Sequence, residues 1–221
     1  MGSKKLGLTV GLAVKICGLT RELDVEAAVK AGADYLGFVF FPPSPRSITV
    51  SRAAELTKLV PEGVTKVALC VDADDNLLRN ITSNAGIDMI QFHGTESPSQ
   101  VVKAKKYFRL PVMKAFAVAE SKDVIKARKY ELVADYLMFD AKPPQNATRP
   151  GGNAEVFDWG LVANEKWSKP WFLAGGLSPK NVVEAIRISG AKGVDVSSGV
   201  EDAPGIKNSD QMHKFIEAAK K

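Results

Sequence analysis

Cys17 and Asp140 are the residues whose types and settings suit acid–base chemistry. Cys17 ends an apolar run in VKICGLT (14–20), and Asp140 nearly ends another in YLMFDA (136–141). A strand alternates its faces, so Lys15 and Cys17 point the same way, as do Tyr136, Met138 and Asp140. An ammonium and a thiol on one face of an apolar strand need a reason. In one reading Lys15 is exposed and Cys17 is a small hydrophobe, as Cys70 is in ALCV. In the other, the thiol is a base or nucleophile that the lysine tunes. Asp140 divides in the same way, between an acid and a turn or cap residue, the reading that suits Asp72.

A second group of residues suits an anion. Ala174-Gly175-Gly176 closes one apolar run ahead of Ser178-Pro179, and Ser197-Ser198-Gly199 closes another. Bare glycines let main-chain N–H groups approach a ligand, and serine hydroxyls add donors. Each piece alone is an ordinary turn. The pair on consecutive strand ends reads as a phosphate site, with Gly152 of PGGNAE as a further contributor. Arg46 lies in FFPPSPRSIT, where the prolines stiffen the loop. A guanidinium there can grip a carboxylate through two parallel hydrogen bonds and stack on a ring; the plainer reading is an exposed, solubilising arginine.

These residues need elements to hold them. Eight strand-type runs occur, at 13–19, 35–41, 66–72, 89–94, 111–118, 136–141, 171–176 and 193–199. They are apolar on both faces, as expected of parallel strands covered by helices. Amphipathic segments follow them at 21–32, 51–60, 75–86, 97–108, 121–130, 154–165, 178–190 and 209–221, with Ser/Asp starts and Gly/Pro stops. Eight such units predict an α/β fold, a single-domain (β/α)8 TIM barrel over 12–221, preceded by a loose arm at 1–11. A doubly wound open sheet is the alternative. The barrel is favoured because polar residues collect at strand C-termini, where a barrel builds its active site: Cys17, Asp72, His93, Asp140, Ser197 and Ser198. The glycine and serine turns then follow strands seven and eight, the common phosphate position, beside the start of helix 178–190. The longest connections, 41–50 and 141–154, lie on that face and suit substrate covers.

Composition narrows the classes further. With 45% hydrophobic and 25% charged residues the chain is ordinary globular protein. No apolar stretch is long enough for a membrane span, and MGSKKLGLTV lacks the core of a secretion signal. The net charge of +5 is spread over scattered lysines, without the dense basic tract of a nucleic-acid partner. Two cysteines make no disulfide framework, so a reducing cytoplasm is expected. His93 and His213 stand far apart and form no metal-ligand pattern.

Taken in order, KICGLT, FVFFPPSPRSIT, QFHG, FDA, the glycine loop before FDW, LAGGL and VDVSSGVE resemble the phosphoribosylanthranilate isomerase family, from about residue 13 to 219. The resemblance implies a (β/α)8 barrel without metal or organic cofactor. It implies an Amadori rearrangement of N-(5-phosphoribosyl)anthranilate to 1-(2-carboxyphenylamino)-1-deoxyribulose 5-phosphate, a step of tryptophan biosynthesis. Carried over residue by residue, it makes Asp140 the general acid and Cys17 the general base. It makes Arg46 a ligand of the anthranilate moiety, and it sets Gly175, Gly176, Ser197, Ser198 and Gly199 around the phosphate. His93 matches a position close to the site and, with Asp195, is placed on the substrate side.

Such a pair needs the thiol pKa lowered from about 8.5 and the carboxyl pKa raised from about 3.9. Lys15 lies one pleat below Cys17, and strand eight, carrying Asp195, neighbours strand one in a closed barrel. A Lys15–Asp195 pair inside the barrel is expected, since an inward lysine needs a partner, with Lys15 favouring the thiolate. Two departures from the family pattern stand out. Asn153 and Ala154 replace the Thr-Gly of its GGTG loop, and Lys142 stands where many members carry threonine. Rival readings also remain. A metal-dependent epimerase needs more histidines, and a Schiff-base aldolase needs a strand-end lysine, whereas Lys114 sits mid-strand. A non-enzymatic sugar-phosphate binder has no use for both Cys17 and Asp140.

Overall fold

The computed structural model describes residues 11–221 apart from 145, 146, 148, 154 and 164. The expected arm at 1–11 lies, but for Gly11, outside the described residues. Eight parallel strands close into a barrel in sequential order. They are β1 Ala13–Cys17, β2 Tyr35–Phe40, β3 Thr65–Cys70, β4 Met89–Phe92, β5 Val112–Val118, β6 Tyr136–Ala141, β7 Trp171–Leu173 and β8 Gly193–Val196. The helices outside are α1 Glu22–Ala31, α2 Val50–Thr57, α3 Asp75–Asn84, α4 Pro98–Phe108, α5 Ser121–Ile125, α6 Gly160–Ala163, α7 Val182–Ser189 and α8 Ser209–Lys220. The open-sheet alternative is excluded by the β1–β8 pairing.

Local signals explain most helix starts. Thr49, Asp74 and Asn208 cap α2, α3 and α8 through their side-chain oxygens. Ser97 and Gln100 form a full capping box on α4, with Pro98 in its first turn. The expected helix at 154–165 reduces to α6, because Asp158 accepts the Gly160 N–H at 2.9 Å and sets the start late. The expected helix at 178–190 begins only at Val182. Asn181 holds 178–181 as a turn, accepting the Ser178 N–H at 2.8 Å and donating to the Gly176 carbonyl at 2.9 Å. The segment 121–130 splits into α5 and a 3₁₀ turn from Lys126 to Tyr130.

One element is outside the sequence expectation. After a 3₁₀ turn at Ser198–Val200, β9 (Glu201–Ala203) pairs antiparallel with β10 (Ile206–Lys207). Its signal is Pro204-Gly205, a type II turn pair, and Gly205 has the positive φ (84°) that turn requires.

The strands bury both faces. Outward residues such as Ile16, Leu36, Phe139 and Val194 pack under the helices with Phe215 and Ile216 of α8. Inward residues Tyr35, Met113, Tyr136, Met138 and Phe172 fill the barrel floor. Tyr35 meets Phe172 edge-on, with centroids 5.1 Å apart.

Above that apolar floor the barrel is charged. Lys15 is wholly buried, and its Nζ lies 2.6 Å from Asp195 Oδ1. The register places the same two residues opposite each other where β1 meets β8. Gly37 on β2 makes room for the group: a Cβ there would sit 2.7 Å from Cys17 Sγ and 3.0 Å from Lys15 Nζ. The expectation of an inward lysine paired with Asp195 is met, and the exposed alternative is not. Removing one member of a buried pair strands the other charge, at a cost of about 3–5 kcal/mol, whereas an apolar pair of similar volume is tolerated. Lys15→Met should therefore lower the urea midpoint strongly, and Lys15→Met/Asp195→Leu should regain much of the loss. Equal midpoints for Lys15→Met and the parent would remove the pair from any part in closing the barrel.

Candidate active site

Cys17 ends β1, and Asp140 lies next to the end of β6. Both line one pocket over the C-terminal end of the barrel, with Arg46, His93, Arg149, Asp195 and Ser197. Its apolar wall is Val39, Phe41, Leu69 and Val71. Cys70, by contrast, is wholly buried, and burial pushes its thiol far above the ordinary value. It lines neither pocket of the site. Asp72 accepts hydrogen bonds from the Thr95 N–H and hydroxyl, the turn role assigned to it.

Asp140 is held on both oxygens. Oδ1 accepts the N–H of Ala141 at 2.8 Å, and Oδ2 lies 3.2 Å from His93 Nε2. Gln91 Nε2 lies 3.1 Å from the other ring nitrogen of His93. His93 thus touches Asp140 directly and is fixed from behind by Gln91.

The thiol is the point where the structure differs from the sequence expectation. Burial raises the Cys17 pKa most; the Lys15 cation lowers it, and the Asp195 carboxylate raises it again. The net direction is upward, so the lowered thiol asked for above is not what the site provides. Burial also works against the Lys15 cation, yet Asp195 and Cys17 outweigh it and hold the lysine above its ordinary value. Lys15 thus favours the thiolate, as expected, without overcoming burial.

Arg46 is buried, but its two-pronged edge is already taken. Nε and Nη2 donate to the Glu201 carboxylate at 2.8 and 2.7 Å. The parallel grip expected for a ligand is made on a protein carboxylate instead. The remaining nitrogen, Nη1, lies against the 149–153 loop, 2.8 Å from where a Gly152 Cβ would sit. Glu201 also binds Lys207 Nζ at 2.7 Å. Burial tends to raise the Glu201 carboxyl, but Arg46 and Lys207 prevail and keep it below the ordinary value. Glu201 and Lys207 lie on the β9–β10 hairpin, so sequence reading missed them. Only the Pro-Gly turn signals that this segment folds back over the site.

Gly175, Gly176, Ser197, Ser198 and Gly199 line one neighbouring pocket, beside Gly152 and Asn153. The β7 and β8 loops touch through bare backbone there: a Cβ on Gly199 would lie 1.9 Å from the Leu177 carbonyl oxygen. Two details differ from expectation. The Ser197 hydroxyl donates to the Cys17 carbonyl at 3.1 Å and is committed to the protein. The helix nearest the cradle is the 3₁₀ turn Ser198–Val200, not α7, which starts after the Asn181 turn. Asn153 braces its own loop, donating to the Arg149 carbonyl at 3.2 Å, and Lys142 is exposed. Ala154 lies outside the described residues.

The chain is similar in sequence and fold to known proteins. Residues 14–218 match the family model described as N-(5'phosphoribosyl)anthranilate (PRA) isomerase. A relative from Paramagnetospirillum magneticum, named N-(5'-phosphoribosyl)anthranilate isomerase, is 54% identical over 94% of this chain and 96% of its own. The crystal structure of phosphoribosyl anthranilate isomerase from Thermotoga maritima superposes with a TM-score of 0.86 at 34% identity, covering 95% of this chain and 98% of that one. Another structure, of a phosphoribosyl anthranilate isomerase in complex with reduced 1-(o-carboxyphenylamino)-1-deoxyribulose 5-phosphate, has a TM-score of 0.83 at 32% identity, with coverage of 95% and 98%.

The electrostatics give one expected titration. The thiolate absorbance that disappears in Cys17→Ala should develop with a midpoint above the ordinary thiol value and move higher still in Lys15→Met. A midpoint below that value would show that the lysine outweighs burial. The cradle gives a second. Phosphate that binds only the folded state raises the melting temperature by mass action. Ser198→Asp, which sets a carboxylate in the cradle, should lose the phosphate-dependent shift. An unchanged shift would place the anion elsewhere.

Proposed function

The chain belongs to the N-(5'-phosphoribosyl)anthranilate isomerase family of tryptophan biosynthesis, and from that premise we propose that Cys17 and Asp140 are the base and acid of its Amadori rearrangement. The observation that carries the assignment is their placement. Thiol and carboxyl reach one pocket from β1 and β6, next to a glycine-lined cradle on β7 and β8.

The substrate phosphate sits in the cradle, which fixes the ribose across the barrel mouth. Asp140 delivers its proton to the furanose ring oxygen. The bond from that oxygen to C1 breaks as the nitrogen lone pair moves in, and an iminium forms. The Cys17 thiolate then removes the proton from C2, and those electrons neutralise the iminium as an enolamine. Ketonisation adds a proton at C1 and releases one from the C2 hydroxyl, leaving the aminoketose. No atom is gained or lost overall.

The raised thiol pKa is compatible with this route. Thiol with carboxylate and thiolate with carboxylic acid hold the same number of protons. The site reacts from the second form and finishes in the first, so the proton must return to Asp140 between turnovers. His93, 3.2 Å from Asp140, supports the carboxyl through that cycle. Lys15 stabilises the thiolate form in the dry barrel, where a cation at close range acts strongly.

Cys17→Ala and Asp140→Asn should each lower kcat by about 10²- to 10⁴-fold with the fold intact. Cys17→Ser should be poor as well, because an alcohol does not supply a thiolate-like base. Near-parent turnover by either of the first two variants, shown folded by circular dichroism, would remove that residue from its role.

A further inference from the structure

Arg149 is a charged residue at the site that the proposed mechanism leaves unused. It lies on the loop after β6 and lines the same pocket as Cys17, Arg46 and Asp140. Its Nη2 donates to the Gly152 carbonyl at 3.1 Å, and the Asn153 side chain donates to the Arg149 carbonyl at 3.2 Å, so the loop grips itself around this residue. Its Nε is buried with no hydrogen-bond acceptor, and it makes no ion pair among the described residues. The carboxylates that line the pocket are committed, Asp140 to Ala141 and His93, and Asp195 to Lys15, and Glu201 behind Arg46 is held by Arg46 and Lys207. A buried guanidinium nitrogen without an acceptor is costly, and a guanidinium with no carboxylate partner suits an anion in the pocket that it lines.

The backbone that follows Arg149 lies directly on the reacting groups. A Cβ on Gly151 would sit 2.6 Å from Asp140 Oδ2, and one on Gly152 2.8 Å from Arg46 Nη1. Two guanidiniums therefore border one pocket with an apolar wall of Val39, Phe41, Leu69 and Val71. That wall suits a flat ring, and the cations suit a negative group on its edge. Arg46 offers such a group a single free edge, because Glu201 holds the other.

We infer that Arg149 is a second, specificity-determining contact for the carboxylate of the aromatic amine, completing the grip that Arg46 alone does not make. The inference rests on the proposed function for the identity of that ring. It concerns binding, so it can be tested without turnover.

The probes are reduced 1-(o-carboxyphenylamino)-1-deoxyribulose 5-phosphate and its phenylamino counterpart without the carboxyl group. Calorimetric Kd values for both give a carboxylate preference for each protein. Arg149→Ala should cut the parent's preference by roughly 10- to 100-fold while leaving the affinity for the carboxyl-free probe near the parent value. Arg149→Lys should restore part of it. Arg46→Ala is the control and should also lose preference. If Arg149→Ala keeps the full preference while Arg46→Ala loses it, Arg149 is not the contact and the proposed function stands. If Arg149→Ala weakens both probes equally, Arg149 only braces its loop and the inference falls. If Arg46→Ala leaves the preference unchanged, or the parent shows none, the ring does not occupy this pocket, and both readings fall.

Discussion

The pairing of Lys15 with Asp195 is the constraint around which the upper barrel is arranged. Residues 180 positions apart meet at 2.6 Å on adjacent strands, so the contact closes the sheet on itself. It also explains the local sequence. A lysine pointing into a barrel demands a carboxylate at the facing register, and Gly37 on the other neighbouring strand leaves space where its head and the Cys17 sulfur meet. The apolar floor of Tyr35, Met138 and Phe172 keeps water out below, which makes the pair's attraction strong and its disruption costly.

A second buried set of charges lies above the first. Glu201 bridges Arg46 and Lys207, and Lys207 donates to the Ser197 carbonyl at 3.1 Å. Ser197 in turn donates to the Cys17 carbonyl, so the set is tied back to the strand that carries the thiol. The hairpin of β9 and β10 also accepts a hydrogen bond from Thr20 on the first loop at the Gly205 carbonyl. The first, second and eighth loops are thus fastened at one corner of the mouth. Across both sets, three buried cations (Lys15, Arg46, Lys207) face two carboxylates (Asp195, Glu201). The surplus cation suits a substrate that carries both a phosphate and a carboxylate.

The barrel was legible because its strands are apolar on both faces and its helices carry caps, and local chemistry fixes both. The positions of Cys17, Asp140 and the glycine turns followed from where strands end. What sequence reading missed depends on contacts between distant loops. Glu201 looks like an ordinary charge after VDVSSG until the hairpin brings it to Arg46. The raised thiol reflects burial between strands distant in sequence, which no spacing of residues reveals. Helices α6 and α7 started late because Asp158 and Asn181 formed side-chain turns that compete with helix over three or four residues. Arg149 gave no signal, as the Pro150-Gly151-Gly152 that follows it reads as a plain turn.

The closing of β1 against β8 also has an order in time. The chain is made from its N-terminus, so the strand bearing Cys17 leaves the ribosome before the strand bearing Asp195, the last of the barrel. Until that last strand arrives, Lys15 has no carboxylate and the sulfur has no enclosing wall. The nascent thiol is therefore an ordinary exposed cysteine, without the burial and the neighbouring lysine that set its acidity in the finished barrel. Enclosure of the Cys17 thiol is then set by the arrival of β8, and a truncated product lacking β8 would carry the motif without its environment.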